Sequence, residues 1–126
     1  MKTFQLTVSE KQLKVIVKAT ELLGRIGMGQ FVEILDNFNT EEFPIKQIHS
    51  WENRIRSINK EIFGSEYAHH GICSDKVPDS ARTAIDICAL IKFATKTEND
   101  TKLGRIWAFD PILTNQENSN IKIEEM

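Results

Sequence analysis

Three glycines interrupt the longest periodic segment of the sequence, within Glu-Leu-Leu-Gly-Arg-Ile-Gly-Met-Gly-Gln-Phe at residues 21–31. Each glycine costs about 1 kcal/mol relative to alanine in a helix interior, so a helix here needs a reason to keep them. At 100° per residue, Gly24 and Gly27 share a face with many of the apolar side chains, where a missing side chain lets another backbone or a ligand come close. The sequence therefore predicts a close neighbour on this face.

The apolar periodicity predicts a first helix that begins near Glu10 and continues to about Phe38, provided that the glycines do not break it. Ser9 fits its N-cap, and Gln12 completes a capping box. Two faces of this helix are apolar, one through Leu13, Ile16, Val17, Leu23, Phe31, Ile34 and Leu35, the other through Val15, Ala19, Leu22 and Ile26. A surface helix of a monomer needs one apolar face, so a second subunit is predicted to cover the other.

Two further helices are predicted. Pro44 suits the first turn of the second helix and Gly64 its end. This helix carries an apolar seam at spacings of three and four, typical of helix packing: Ile48, Trp51, Ile55, Ile58 and Ile62. Asp79 or Ser80 is the predicted cap of the third helix. Residues 65–78 lack a period and are interpreted as a loop, and residues 95–102 as a polar linker.

Short strands are predicted near both ends of the chain. Residues 4–8 alternate apolar and polar side chains, and residues 103–109 read as a second strand that could pair with them. The predicted fold class is therefore α+β and predominantly helical, with three helices, a short N-terminal strand and a C-terminal strand, assembled as a helix-packed oligomer. Residues 1–115 are expected to form one domain and residues 116–126 a polar tail, disordered or ordered only against a partner chain.

Charge and composition exclude several classes of protein. The formal net charge of the 126 residues is −2, and the tail accounts for it with three glutamates and one lysine. A neutral body of this kind does not suit a general DNA-binding protein, and no apolar run approaches the roughly 20 residues that span a bilayer. Cys73 and Cys88 form no CxxC pair and the first residues do not resemble a signal peptide, which predicts a cytoplasmic protein with free thiols and without DNA or membrane partners.

The glycine cluster has the pattern G-x-x-G-x-G, which differs from the G-x-G-x-x-G dinucleotide fingerprint, and it follows no predicted strand. Close helix packing is the favoured interpretation. In the alternative, the glycines beside Arg25 open a slot in which a phosphate meets the forked donors of the guanidinium.

The loop after the second helix offers no complete catalytic or metal constellation. His69 and His70 are adjacent, so their side chains diverge in most conformations, whereas a zinc site needs three or four suitably spaced ligands. Nothing in the sequence places a third group that would orient His70 toward Cys73. The prediction is that the chain has no catalytic residues, no metal and no cofactor.

Residues near the predicted C-terminal strand suit a nucleotide. Arg105, Trp107 and Phe109 would project together, with Asp110 directly after them. An aromatic ring that stacks on a base contributes about 1–3 kcal/mol, while an arginine binds phosphate and a carboxylate accepts from ribose hydroxyls. A partly exposed strand whose aromatic side chains cover the domain edge explains the same pattern equally well.

The order of these segments resembles a family of small phage proteins, the first type of Thoeris anti-defence protein. The resemblance covers residues 4–115 and rests on the Arg-Ile-Gly-Met-Gly-Gln-Phe segment, the isoleucine-rich helix, a His-Gly-Ile loop where relatives tend to have Tyr-Gly-Ile, and the Trp-x-Phe-Asp strand. It implies a sponge that sequesters cyclised (glycocyclic) ADP-ribose signals of bacterial TIR enzymes without cleaving them, in the host cytoplasm. Relatives form dimers and some hexamers, and some also hold cyclic oligonucleotides at separate sites.

The resemblance places phosphate-binding arginines at Arg25 and Arg105, while His70 departs from the expected tyrosine. With the residue chemistry above, it gives a hypothetical ligand site: base stacking on Trp107 or Phe109, polar orientation by Asp110 and Asn115, and additional positions at Gly29, His70 and Gly71. The main alternative is a phage or bacterial protein-interaction or assembly module with no small-molecule ligand. A third hypothesis, placed last, is a small hydrolase that uses His69, His70 and Cys73.

Overall fold

The computed structural model describes residues 2–64, 71, 74–102 and 111–126, apart from the side chains of residues 99 and 101, and the structural statements below concern these residues. They form four α-helices and three short 3₁₀ helices. In chain order these are α1 (Glu10–Gly27), the first 3₁₀ helix (Phe31–Asn37), the second 3₁₀ helix (Thr40–Glu42), α2 (Ile45–Phe63), α3 (Asp79–Ala94), α4 (Glu98–Lys102) and the third 3₁₀ helix (Gln116–Asn120).

Helix α1 begins as the sequence predicts and ends earlier. The backbone amide of Gln12 donates to Ser9 Oγ at 3.1 Å and the amide of Ser9 to Gln12 Oε1 at 2.8 Å, which confirms the capping box. The predicted continuation to Phe38 is wrong, because the helix ends at Gly27 and Gly29 takes a φ of +85°. A left-handed residue cannot continue a right-handed helix, so the periodic sequence that follows forms a separate 3₁₀ helix.

Gly24 and Gly27, the two glycines inside α1, allow this helix to pack closely against α3. A Cβ atom built on Gly24 would overlap the side chain of Ile85, and one on Gly27 would overlap Cβ of Ala81. Close helix packing, the favoured interpretation of the glycine cluster, is confirmed for these two positions. The buried apolar side chains of the described residues lie on α3 or just before it: Val77, Ala81, Ala84, Cys88 and Ile91.

Helix α2 ends where the sequence predicts and begins one residue later than predicted, since Pro44 is its N-cap rather than a residue of its first turn. Pro44 precedes its first residue, and Gly64 closes it in the left-handed conformation, with φ +77° and its amide 2.8 Å from the carbonyl of Lys60. Aromatic pairs join α2 to the residues before it: Phe63 meets Phe31 edge-on at 5.6 Å between ring centroids, and Trp51 meets Phe43 at 4.9 Å. The main neighbour of α2 among the described elements is thus the first 3₁₀ helix.

Two local predictions about the third helical region need correction. Pro78, rather than Asp79 or Ser80, occupies the N-cap of α3. The predicted polar linker at residues 95–102 contains α4, which begins after a reciprocal cap in which the amide of Asp100 donates to Thr97 Oγ1 at 3.1 Å and the amide of Thr97 to Asp100 Oδ2 at 2.9 Å. The Thr-x-x-Asp spacing is a capping-box pattern, and this pattern in the sequence could have predicted the start of α4.

The predicted α+β class is wrong, because the described part of the chain is helical and contains no strand. Residues 2–9 have no regular structure, and Phe4 and Leu6 are 92% and 76% exposed. Alternation over five residues is a weak signal, since a strand also needs a neighbour for its backbone N–H and C=O groups. The predicted C-terminal strand at residues 103–109 lies outside the described residues.

Candidate functional site

Arg25 lies in a cluster of acceptors where α1 ends. Its guanidinium donates to Gln30 Oε1 at 3.0 Å and to Glu21 Oε1 at 3.3 Å, and one of its nitrogens lies 3.5 Å from Glu33 Oε1. Glu21 also pairs with Lys92 of α3 at 3.5 Å. Arg25 therefore joins α1 to the first 3₁₀ helix, and a phosphate bound there would compete with two carboxylates for its donors.

The pKa of Glu33 is affected by its neighbours in this cluster. A hydrogen bond with the side chain of Asp36 and partial burial raise the pKa of Glu33, and the charge of Arg25 opposes the rise. The hydrogen bond and the burial therefore favour the protonated form of Glu33 more than water around a free glutamate does.

Gly29 is buried in the turn after α1. Its φ of +85° is the reason for a glycine, since a Cβ atom there would meet Asn59 and Phe63 of α2 only at ordinary contact distance, 3.5 Å. The amide of Gln30 donates to the carbonyl of Arg25 at 2.9 Å across the same turn. Arg25 and Gly29 thus lie within one hydrogen-bonded turn whose geometry has a structural purpose, and their role in ligand binding stays a prediction.

Of the other predicted ligand residues, the structure describes Gly71 and Asn115. Gly71 is exposed. Asn115 caps the third 3₁₀ helix through Oδ1, which accepts from the amide of Glu117 at 3.0 Å. His70, Arg105, Trp107, Phe109 and Asp110 lie outside the described residues, as do His69 and Cys73. The ligand-binding assignments of the residues predicted for the ligand site stay predictions, as does the hydrolase role suggested for His69 and Cys73.

A site that the sequence interpretation missed lies on α2. The polar face of α2, opposite the apolar seam, borders a shallow, solvent-open space of about 460 Å³, which we call the α2 groove. Its six lining residues recur at spacings of three and four: Lys46, His49, Ser50, Asn53, Arg54 and Ser57. All six belong to one helix and five of them are exposed, so the α2 groove is a shallow surface rather than an enclosed pocket.

The lining of the α2 groove suits an anion. Lys46 and Arg54 bring two positive charges, the hydroxyl and amide groups of Ser50 and Asn53 can donate hydrogen bonds, and none of the six residues carries a carboxylate. Lys46 also lies in the first turn of α2, where the helix dipole adds positive potential. The regular recurrence of donors behind the isoleucine seam was the sequence signal that could have identified this face.

A second, smaller cavity of about 220 Å³ lies between α2 and the chain that follows α1. It is lined by Gly29 to Glu33 together with Arg56 and Asn59. It is smaller than typical small-molecule sites, and the carboxylate of Glu33 is in its lining. The α2 groove is therefore the stronger candidate for binding an anion.

The described residues offer little for metal or thiol chemistry. Among them, no three His, Cys, Asp or Glu side chains are grouped closely enough to hold a metal ion. Cys88 is buried on α3, and burial raises the pKa of its thiol, which disfavours the reactive thiolate. Every helix in this part of the chain is too short or too polar to cross a membrane.

Comparison with protein-family models, with curated proteins and with solved structures finds no match to this chain.

Proposed function

We propose that this protein is a phage sponge that binds and sequesters a cyclised ADP-ribose immune signal without cleaving it, in the cytoplasm of the host cell. The observation that carries the proposal is the α2 groove, where Lys46 and Arg54 stand among neutral hydrogen-bond donors without a carboxylate in the lining. The resemblance of the sequence to the first type of Thoeris anti-defence protein supplies the class of ligand.

A small cyclic nucleotide suits the groove better than a nucleic-acid polymer. Two cations on a chain with a formal net charge of −2 make a local positive patch, whereas a polymer binder needs a continuous basic surface. Lysine provides a point charge and arginine a flat fork of donors, and both bind phosphate oxygens. Ser50, Asn53 and Ser57 would then orient ribose hydroxyls or the base.

The groove and the sequence resemblance assign the phosphates differently. The resemblance gives them to Arg25 and Arg105, and the groove gives them to Lys46 and Arg54. The guanidinium of Arg25 already donates hydrogen bonds to Glu21 and Gln30, so a ligand would have to displace these contacts. We therefore place the phosphates in the groove and keep Arg25 and Arg105, with the aromatic residues Trp107 and Phe109, as the competing site.

The test is to incubate the purified protein with cyclised ADP-ribose isomers and a panel of cyclic di- and trinucleotides, and to measure thermal stability. A ligand at about 100 times its Kd raises the free energy of unfolding by about 2.7 kcal/mol, which is readily detected. The ligand is then released by heat and identified by chromatography. Recovery of the intact ligand supports a sponge, a degraded ligand supports an enzyme, and the absence of any shift contradicts both.

The alternative function is a protein-interaction or assembly module with no small-molecule ligand. Large apolar side chains that remain exposed outside α2 favour it, among them Phe4, Leu6, Phe38 and Ile112 at 92%, 76%, 65% and 91%. A complex with a host protein that survives gel filtration, without bound nucleotide, would support this alternative over the sponge.

A further inference from the structure

Exposed apolar and acidic side chains lie together on the chain between the first 3₁₀ helix and α2. Phe38, Phe43 and Ile45 are 65%, 45% and 70% exposed. Single exposed apolar residues are ordinary on a protein surface, whereas a group of them marks an interaction site. We call this group, with the exposed acids of the same segment, the linker patch: Asp36, Phe38, Glu41, Glu42, Phe43 and Ile45.

The backbone of the linker patch is held by hydrogen bonds. The amide of Thr40 donates to the carbonyl of Phe38 at 3.0 Å, and the amide of Phe43 donates to the carbonyl of Thr40 at 3.1 Å. These two tight turns keep Phe38 and Phe43 closer together than an extended chain would. The ring of Phe43 also packs edge-on against Trp51 of α2, with 4.9 Å between the ring centroids. A partner would therefore meet a preformed surface, which lowers the entropic cost of binding.

The linker patch carries negative charge. From residue 34 to residue 45 the chain has the acids Asp36, Glu41 and Glu42 and no lysine, arginine or histidine. Glu41 and Glu42 directly precede Phe43, so their carboxylates border its apolar side chain. This charge disfavours nucleic acids and anionic lipid surfaces, which are negative themselves. It favours a protein partner that brings positive charges.

The secondary structure indicates which form such a partner takes. An extended peptide binds by adding a strand to a sheet edge, and the described part of this chain contains no strand. A helix instead satisfies its own backbone N–H and C=O groups and offers only side chains to the surface that it meets. A helical partner therefore suits the linker patch better than an extended one.

We propose that the linker patch binds a lysine- or arginine-rich amphipathic helix of another protein. Apolar side chains at spacings of three and four on that helix contact Phe38, Phe43 and Ile45, and its flanking basic side chains face the carboxylates. The linker patch shares no residue with the lining of the α2 groove. Its test is therefore carried out on nucleotide-free protein, and its failure would leave the ligand experiments above unaffected.

The first experiment uses a labelled helical peptide of leucine and lysine, with the leucines at spacings of three and four, and measures its affinity for the full chain by fluorescence anisotropy. A peptide with glutamate in place of every lysine is the comparison. The lysine peptide should bind about tenfold more tightly or better, and rising salt should reduce this preference because exposed charges are screened. Equal affinities of the two peptides, or no binding of the lysine peptide, would overturn the proposal.

A charge reversal locates the binding on the chain. Glu41→Lys/Glu42→Lys should weaken binding of the lysine peptide about tenfold and strengthen binding of the glutamate peptide. Glu124→Lys/Glu125→Lys makes the same change in net charge at exposed positions near the C-terminus and should preserve the preference for lysine. If the two double variants lose the lysine peptide equally, binding depends on net charge alone and the proposal is wrong.

The apolar contact has its own control. Phe38→Ser should weaken binding of the lysine peptide about tenfold, whereas Ile112→Ser, at a 91% exposed position outside the linker patch, should leave it unchanged. Helix content by circular dichroism checks that both variants fold. Unchanged affinity of Phe38→Ser contradicts the proposal. A chain that self-associates through Phe38, as judged by light scattering, and does not bind the peptide contradicts it as well.

Discussion

The side-chain amide of Asn118 donates a hydrogen bond of 2.8 Å to the carboxylate of Asp86, a residue that is only 1% exposed in the middle of α3. The same carboxylate accepts from the amide and hydroxyl of Thr114 at 2.8 and 2.9 Å and from the amide of Asn115 at 3.1 Å. A buried charge is tolerated when hydrogen bonds replace its water. Asp86 therefore ties the C-terminal segment to the α1–α3 core.

Removing one of these donors should destabilise the fold. A hydrogen bond to a charged group contributes about 1.5–3 kcal/mol, so Asn118→Ala should lower the free energy of unfolding by about that amount in urea denaturation. Asn120→Ala removes an exposed amide from the same 3₁₀ helix and should change it little. Equal stability of the two variants would contradict the anchoring role of Asp86.

The glycines of α1 should tolerate alanine unequally. Alanine gains about 1 kcal/mol in helix propensity, but overpacking costs about 1–3 kcal/mol. At Gly24 the obstacle is the flexible end of Ile85, whereas at Gly27 it is Cβ of Ala81, fixed to its backbone. Gly27→Ala should therefore be the more destabilising in thermal unfolding.

The compensating variant is Gly27→Ala/Ala81→Gly, which moves the methyl group from α3 to α1 and should recover part of the lost stability. Gly71→Ala is the control, because a Cβ atom there meets open space. If Gly27→Ala is as stable as this control, the close packing of α1 on α3 at Gly27 is wrong.

A substitution at Gly29 can distinguish its role in the turn from its predicted role in ligand binding. An L-residue in the left-handed region costs about 1–2 kcal/mol, so Gly29→Ala should lower the free energy of unfolding by about that amount. If the glycine serves only the turn, the affinity of the folded protein for cyclised ADP-ribose should be unchanged in equilibrium dialysis. A lower affinity with unchanged stability would instead favour the predicted ligand site.

Local rules in the sequence predicted the helix boundaries that depend on one or two residues. Ser9 with Gln12 marked the start of α1, and Pro44 and Gly64 marked the ends of α2. The end of α1 was missed because the apolar spacing of three and four continues beyond it, through a 3₁₀ helix with a similar repeat. Hydrophobic periodicity therefore identified a half-buried segment correctly and its helix type wrongly.

The long-range contacts of Asp86 could not be predicted from the sequence. The partners of Asp86 lie 28 to 32 residues away, and no local pattern connects them. A lone aspartate between Ile85 and Ile87 does indicate a buried acid that needs donors, although it does not identify them. The α2 groove was missed for a different reason: its lining is an ordinary polar helix face, without the glycines or aromatic side chains that mark Arg25 and Arg105 in the sequence.

The pKa of Glu33 predicts how stability changes with pH. Its hydrogen bond with Asp36 and its burial raise that pKa above the ordinary 4.5, so the folded state binds a proton more tightly than the unfolded state does. This contribution is fully present below pH 4.5 and is lost as the pH rises through the folded pKa. The Tm of Glu33→Gln relative to wild type should therefore increase between pH 4 and pH 7. A difference that shrinks over this range would contradict the raised pKa.

The position of the phosphate contacts can be decided by three alanine variants measured with cyclised ADP-ribose in isothermal calorimetry. Lys46→Ala removes a cation from the α2 groove and should weaken binding about 10- to 150-fold, because a charge-assisted hydrogen bond contributes about 1.5–3 kcal/mol. Lys18→Ala makes the same charge change on an exposed position of α1 and should have no effect beyond a small change in long-range attraction.

Arg25→Ala distinguishes the two proposed sites: unchanged affinity supports the groove, whereas a loss confined to Arg25→Ala would move the phosphates to the turn after α1. The carboxylates of Glu21 and Glu33 would then face the ligand. Binding at that turn should therefore strengthen at low pH, because Glu33 takes up a proton there. Binding in the α2 groove should not depend on Glu33.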